Sequence, residues 1–294
     1  MRISAVAWAR FRRQRLALFG ALWLVTLGSL AVAAPMVALW LGADVAAVDL
    51  LARLVPPSAA HPLGTDELGR DVLVRLLYGG RVSLGVGLGT AIMAALIGTT
   101  IGLTAGARGG RLDAALMRLT DGVIALPLLP LLIVLAAVDP AKLGLSPEAL
   151  HSEAAGVARI MILVALVGWT TVARLVRGAT LAVRERDFVL AAVALGASPA
   201  RIMTVHILPN VISPAIVATT LSVGNLILFE SALSFLGLGI QPPLPSWGNM
   251  LTGALELIWS APALAVWPGA MIYATVVAFN FVGDGLQDAL DPRS

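Results

Sequence analysis

The chain contains uncharged apolar runs that are too long to be buried in a soluble fold. Residues 16–41 carry no charge and follow Arg10, Arg12, Arg13 and Arg15. About 20 helical residues cross a hydrocarbon core of ~30 Å, so this run is predicted to span a bilayer. Ala31-Val32-Ala33 resembles a signal-peptide cleavage site. A signal's apolar core is only ~7–15 residues, however, and this run continues beyond Ala33. Five further spans are predicted over 82–107, 119–138, 160–171 (reaching about 183 if Arg174 and Arg177 sit at its end), 211–240 and 262–282. Backbone polar groups in lipid must be satisfied internally, and runs of this length do so as helices. The predicted fold class is all-α: a polytopic membrane protein with six transmembrane helices and both termini on one side.

Composition agrees. Hydrophobic residues make up 59% of the 294 and charged residues 13%, about half the charged share of a soluble domain. The absence of cysteine excludes disulfides, thiolate metal sites and cysteine nucleophiles. The calculated pI of 10.1 looks basic, yet the net charge is only +3. The basic residues are nearly all arginine and flank apolar runs, so they mark membrane topology and not a nucleic-acid surface. With the N-terminus inside, fourteen of the twenty Lys and Arg residues fall on the inner side, which predicts cytoplasmic N- and C-termini.

Two local patterns add detail. Residues 66–81 read as an amphipathic helix with Leu68, Val72, Leu73, Leu76 and Leu77 on one stripe, Thr65 as N-cap and an Asp71–Arg75 pair. Such a helix lies in the membrane interface or packs on the protein surface, and both readings stand. The second span holds the small-xxx-small pairs Gly85/Gly89 and Gly98/Gly102, predicted helix-contact positions because close backbone approach drives association in lipid.

Catalytic chemistry is missing. There is no G-x-x-x-x-G-K-[ST] loop, and the only lysine, Lys142, follows Ala141, so this chain has no P-loop for ATP. No H-E-x-x-H or G-x-S-x-G motif occurs, and His61, His151 and His206 are far apart in sequence. No catalytic or metal site is predicted. The ionisable groups within spans are Asp121 and Glu230, each near an end from which it can reach the interface. They do not form a proton relay, so if the chain is a transporter its energy would come from another subunit. Asp284, near Asp288 and Asp291, reads as part of a solvated tail.

The segment 184–210, between spans four and five, is the most informative. Asp187 is predicted to cap a short helix running to Leu195, with Gly196 at its C′ position. Ser198 is predicted to cap a second helix, with Pro199 at N1. Pro209 and Pro214 would punctuate the start of span five. The result is a compact cytoplasmic knob whose Ala191-Ala192 pair leaves one face flat enough for a partner to approach.

This segment resembles the coupling loop of ABC importer permeases, with its E-A-A-x-x-x-G pattern and I-x-L-P ending. Ala191, Ala192, Gly196, Leu208 and Pro209 match; Leu190 replaces the leading Glu, and His206 stands where Ile is common. Residues His61 to Asp71, Leu233 to Gly239, Pro242-Pro243, Pro245 to Gly248, and Phe279 to Leu286 through Asp291-Pro292-Arg293 resemble the C-type permease of dipeptide/oligopeptide (and nickel) importers. The resemblance covers nearly the whole chain.

It implies a type I ABC importer permease fold, with residues 1–81 as a cytoplasmic segment, first span and outer segment, and 82–294 as the core permease domain. It further implies a non-enzymatic subunit of the bacterial inner membrane. The implied partners are a second, B-type permease, two cytoplasmic ATPases that bind the ATP and Mg, and an extracytoplasmic substrate-binding protein. Asp187, Ala191, Ala192, Gly196, Ala197, Leu208 and Pro209 would couple to an ATPase. The substrates implied are di- or oligopeptides; nickel chelates, glutathione or an opine-like compound would suit the same fold. A polytopic membrane enzyme or scaffold is the alternative from another class, but it requires intramembrane catalytic groups.

Overall fold

A computed structural model describes residues 2–138 and 152–290. Lys142, His151 and the Asp291-Pro292-Arg293 ending lie outside the described residues. Among the described residues the α-helices are, in order, α1 (Arg2–Phe11), α2 (Arg15–Leu41), α3 (Val72–Arg108), α4 (Gly110–Ala125), α5 (Leu128–Ala137), α6 (Glu153–Arg184), α7 (Asp187–Ala194), α8 (Pro199–Phe235), α9 (Trp247–Met250) and α10 (Ala263–Leu290). The described residues contain no strand. Helices α2, α3, α6, α8 and α10 are each long and apolar enough to cross a membrane. The pair α4–α5 meets the same length and composition together but is bent by 86°, as in a broken span or a re-entrant loop, so the helices supply five spans, or six with this pair. The bend falls at Leu126-Pro127. Proline pushes the residue before it out of the helical region, and Leu126 is extended at ψ 142.

Both chain ends meet at one end of the bundle, called here the inner end. Phe11 and Ala17 pack with Ala289, and Gln14 Nε2 donates to Asp288 at 2.6 Å.

Helix α3 begins at Val72, not at residue 66, and runs unbroken to Arg108. The separate amphipathic helix over 66–81 is therefore corrected, and the 81/82 division falls inside α3. The N-cap is Asp71, whose carboxylate accepts from Val74 N at 2.9 Å. Thr65 lies in a loop, opposite Asp71 in an isolated bridge. The Asp71–Arg75 pair is not formed. Asp71 is committed to the helix start and to His61 Nδ1 at 3.0 Å, so Arg75 turns to Asp66 at 3.4 Å. Val72, Val74, Leu76 and Leu77 are all buried in protein, which leaves no apolar face for the interface.

The tightest seam is between α3 and α6. A Cβ at Gly98 would lie 2.6 Å from Trp169 O, and one at Gly102 2.4 Å from Ala173 O. Gly106 continues the seam, 2.7 Å from Thr180 Cβ. Gly85 is not part of this seam: a Cβ there would meet nothing within 4 Å, and at Gly89 it would meet only the flexible end of Met161. Met161 is on α6, so Gly89 still faces that helix, through a side chain and not through backbone; Gly85 has no such neighbour. Of the largest fully buried side chains, Leu132, Ile160, Ile227, Leu233 and Trp247 share one cluster, and Ile207 and Val172 belong to a second.

Candidate functional site: the inner-end loop and its supports

Helix α7 is short, so its position depends on its ends. Asp187 occupies the first turn, whereas the N-cap is Arg186. Asp187 therefore does not cap by hydrogen bonding; its charge still faces the positive end of the helix dipole. At the other end Gly196 has φ +79. Its N–H donates to Val193 O at 2.9 Å, and Ala197 N donates to Ala192 O at 3.0 Å. This pair of bonds is the Schellman closure, which needs a left-handed residue at C′. Ser198 Oγ then accepts from Arg201 N, with Pro199 at N1.

The second short helix is not a separate unit. From Pro199 the chain is helical to Phe235, with a π-helical stretch at Ile202–Ile207. Pro209 has no N–H and its ring crowds the carbonyl four residues back, which disfavours an α turn there. Asn210 Nδ2 takes up the carbonyl of His206 at 2.7 Å. Span five thus starts at Pro199 and contains both Pro209 and Pro214. It ends at Phe235, ahead of the predicted 240, where Gly237 at φ +74 closes it.

Val189 and Ala192 are buried, and α7 packs on the π-helical stretch. Ala191 is exposed. The alanine pair is therefore not one flat face, because neighbouring helical residues point 100° apart. The side chains that α7 and its C-cap expose are instead large and apolar, spread around the helix on either side of the buried Val189 and Ala192: Phe188, Leu190, Val193 and Leu195 are exposed by 46%, 54%, 52% and 88%. Leu190, where the coupling pattern has Glu, is one of them. Leu208 is half-buried and Pro209 exposed at the foot of the π stretch.

Arginines brace this end. Arg177 makes a two-pronged bond to Asp113, at 2.5 and 2.6 Å. Arg174 pairs with Asp121, and Arg184 Nη1 donates to Gly106 O at 3.0 Å. Asp121 thus ties α4 to α6.

At the outer end Glu230 is fully buried and does not reach the interface. Its carboxylate accepts from Ser234 Oγ at 2.7 Å, Ser83 Oγ at 3.1 Å and Ser231 Oγ at 3.3 Å. Ser83 Oγ in turn accepts from Trp247 N, and Ser234 Oγ from Ile240 N. Sequence reasoning found the acid in its apolar run but missed the serines, of which Ser83 is 147 residues away.

Residues 98–294 match the family of the binding-protein-dependent transport system inner membrane component, and residues 4–57 match the N-terminal TM domain of oligopeptide transport permease C. An oligopeptide transport system permease protein of Bacillus subtilis is 38% identical over 287 residues, covering 98% of this chain and 88% of the relative. A dipeptide transport system permease protein of the same organism is 40% identical over 288 residues, covering 98% and 85%. A glutathione transport system permease protein of Shigella flexneri is 41% identical over 286 residues, covering 97% and 89%. On the span pattern, the braced inner-end loop and these matches together, the chain belongs to the binding-protein-dependent inner membrane components, the permease subunits of ABC importers.

Proposed function

We propose that this subunit forms half of a translocation pathway for di- or oligopeptides and takes its energy from partner ATPases through residues 184–210. The supporting observation is the geometry of α7. A Schellman-closed helix, seated on span five by Val189 and Ala192, presents Phe188, Leu190, Val193 and Leu195 outward. A concentration of exposed large apolar side chains at the inner end, outside the spanning stretch, is the signature of a docking surface. A stiff knob transmits partner movement as rigid-body displacement. Both termini and the knob lie in the cytoplasm, in keeping with the arginine distribution. A B-type permease supplies the other half of the pathway, an extracytoplasmic binding protein delivers substrate, and ATP with Mg is bound by the ATPases. The peptide reading draws on the oligopeptide and dipeptide permease relatives and on the match of residues 4–57 to the oligopeptide permease N-terminal domain; a glutathione permease is equally similar, and glutathione is itself a small peptide.

The test is the assembled transporter in proteoliposomes, with uptake of a labelled dipeptide and ATP hydrolysis measured together. Gly196→Glu places a side chain at φ +79 and a charge beside these apolar side chains. ATP hydrolysis is expected to persist while uptake falls to background. Normal uptake by this variant, or failure of the native chain to co-purify with any P-loop ATPase, would refute the reading.

A further inference from the structure

A polar side chain in a membrane span is costly unless it faces protein or water. Most polar side chains in α3 and α8 are internally satisfied. Thr100, Thr104, Thr219, Thr220 and Ser222 donate to carbonyls three or four residues back, and Glu230 is buried among serines. Asn225 and Asn280 are different. Both are exposed on this chain, and neither amide makes a hydrogen bond among the described residues. Each lies well inside its helix, ten residues from the nearer end, Phe235 for Asn225 and Leu290 for Asn280.

They also share one edge. Helices α8 and α10 pack closely where Gly224 meets Val276 and Gly283 meets Leu221. Asn225 follows Gly224, and Asn280 lies between Val276 and Gly283. At 100° per residue on two antiparallel helices, both fall on the side of this seam away from α3. Tyr273, 71% exposed, and the exposed Asp284 lie on the same stripe of α10, at seven and eleven residues' spacing. The stripe is therefore uncharged through its middle and acidic only near the inner end.

We propose that Asn225, Asn280 and Tyr273 line the route of the substrate. The inference rests on the permease reading above and names the chemistry of its path. Carboxamide and phenol groups both donate and accept, as does each peptide unit of a substrate. A zwitterionic peptide is then guided by amide hydrogen bonds and meets no fixed countercharge at mid-membrane that would hold either terminus.

The chain has no cysteine, so a single introduced cysteine is its only thiol. The probe is a membrane-impermeant, charged methanethiosulfonate applied to the assembled transporter, with labelling read on this chain. Asn225→Cys and Asn280→Cys are expected to react at least about tenfold faster than the controls Val25→Cys and Val32→Cys, because only a hydrated thiol forms the reactive thiolate. Asn280→Leu is expected to lower dipeptide uptake roughly fivefold, the factor carried by one lost hydrogen bond, with the assembled complex recovered at native yield. Labelling at the control rate, whether lipid or a packed partner helix covers the residues, overturns the proposal. So does full uptake by both Asn225→Leu and Asn280→Leu. If the native complex takes up no dipeptide yet both thiols react, the permease's substrate assignment fails while the aqueous path stands.

Discussion

Gly102→Ala tests whether the α3–α6 seam is set by backbone approach. The added Cβ would sit 2.4 Å from Ala173 O, 2.9 Å from Arg177 N and 3.0 Å from Val176 Cβ. Two of these are backbone atoms and cannot rotate away. An unstrained C···O contact is about 3.3–3.6 Å, so the helices must separate by roughly 1 Å. Overpacking of this kind costs about 1–3 kcal/mol. Alanine's helical advantage over glycine offsets about 0.5–1 kcal/mol of that, leaving a net loss. Gly178, on α6, has nothing within 4 Å of a Cβ, so Gly178→Ala keeps only the favourable term. The assay is the melting midpoint of the purified chain in detergent at one scan rate, because midpoints of irreversible unfolding depend on rate. Gly102→Ala is expected to melt several degrees below native, and Gly178→Ala at or above it. A native midpoint for Gly102→Ala, or equal falls in both variants, would refute the reasoning.

Other substitutions probe the two ends. Glu230→Leu removes the acceptor of three serine hydroxyls, and each buried group left unpaired costs about 1–3 kcal/mol; the melting midpoint should fall, and proteolysis within 236–250 should accelerate. Retention of native protease resistance would show that Glu230 does not hold that segment. Asp71→Ala removes the α3 N-cap, worth about 1 kcal/mol, and should lower the midpoint, whereas Asp71→Asn should recover part of the loss. Arg177→Gln breaks the two-pronged bond to Asp113 and should loosen α4 against α6, read as faster hydrogen exchange at the inner end of α4; unchanged exchange would show that the bond is dispensable.

The spans and the glycine turn were legible because each depends on a short stretch of sequence. Gly196 and Ser198-Pro199 mark their turn with residues that only that turn requires. Two kinds of feature were not legible. The first is the choice between competing local signals. Thr65 and Asp71 are both good caps, and the loop containing Thr65 instead folds back, with its hydroxyl taken by Val55 N. The second is long-range pairing. Ser83, opposite Glu230, and the acids opposite Arg174 and Arg177 lie on other helices, and no spacing rule connects them; Ser234, at i+4 from Glu230, was within reach of a helical spacing rule. Proline misleads for a physical reason: Pro209 marks a boundary by its sequence signal, yet a π-helical turn and the Asn210 side chain carry the helix through it.

The arginines that first served only as a count of sidedness have a second consequence. Arg174 and Arg177 join α6 to α4, and Arg184 joins the end of α6 to Gly106 at the end of α3. The glycine seam already holds α3 against α6. Helices α3, α4 and α6 are thus fixed to one another at the inner end, and α7 follows α6 after only two residues. Displacement of α7 by a docked partner cannot be absorbed between these helices. It must appear where the chain yields, and hinges are a few element-terminal residues. The two such places nearest the inner end are the 86° break at Leu126-Pro127 and the π-helical stretch under α7. Spin labels at Leu195 and Arg111 should therefore keep a constant separation through the ATP cycle, while labels at Leu195 and Ile212, on either side of the π stretch, should change theirs. The reverse pattern would place the yielding element between α6 and α4 and remove the bracing role of the arginines.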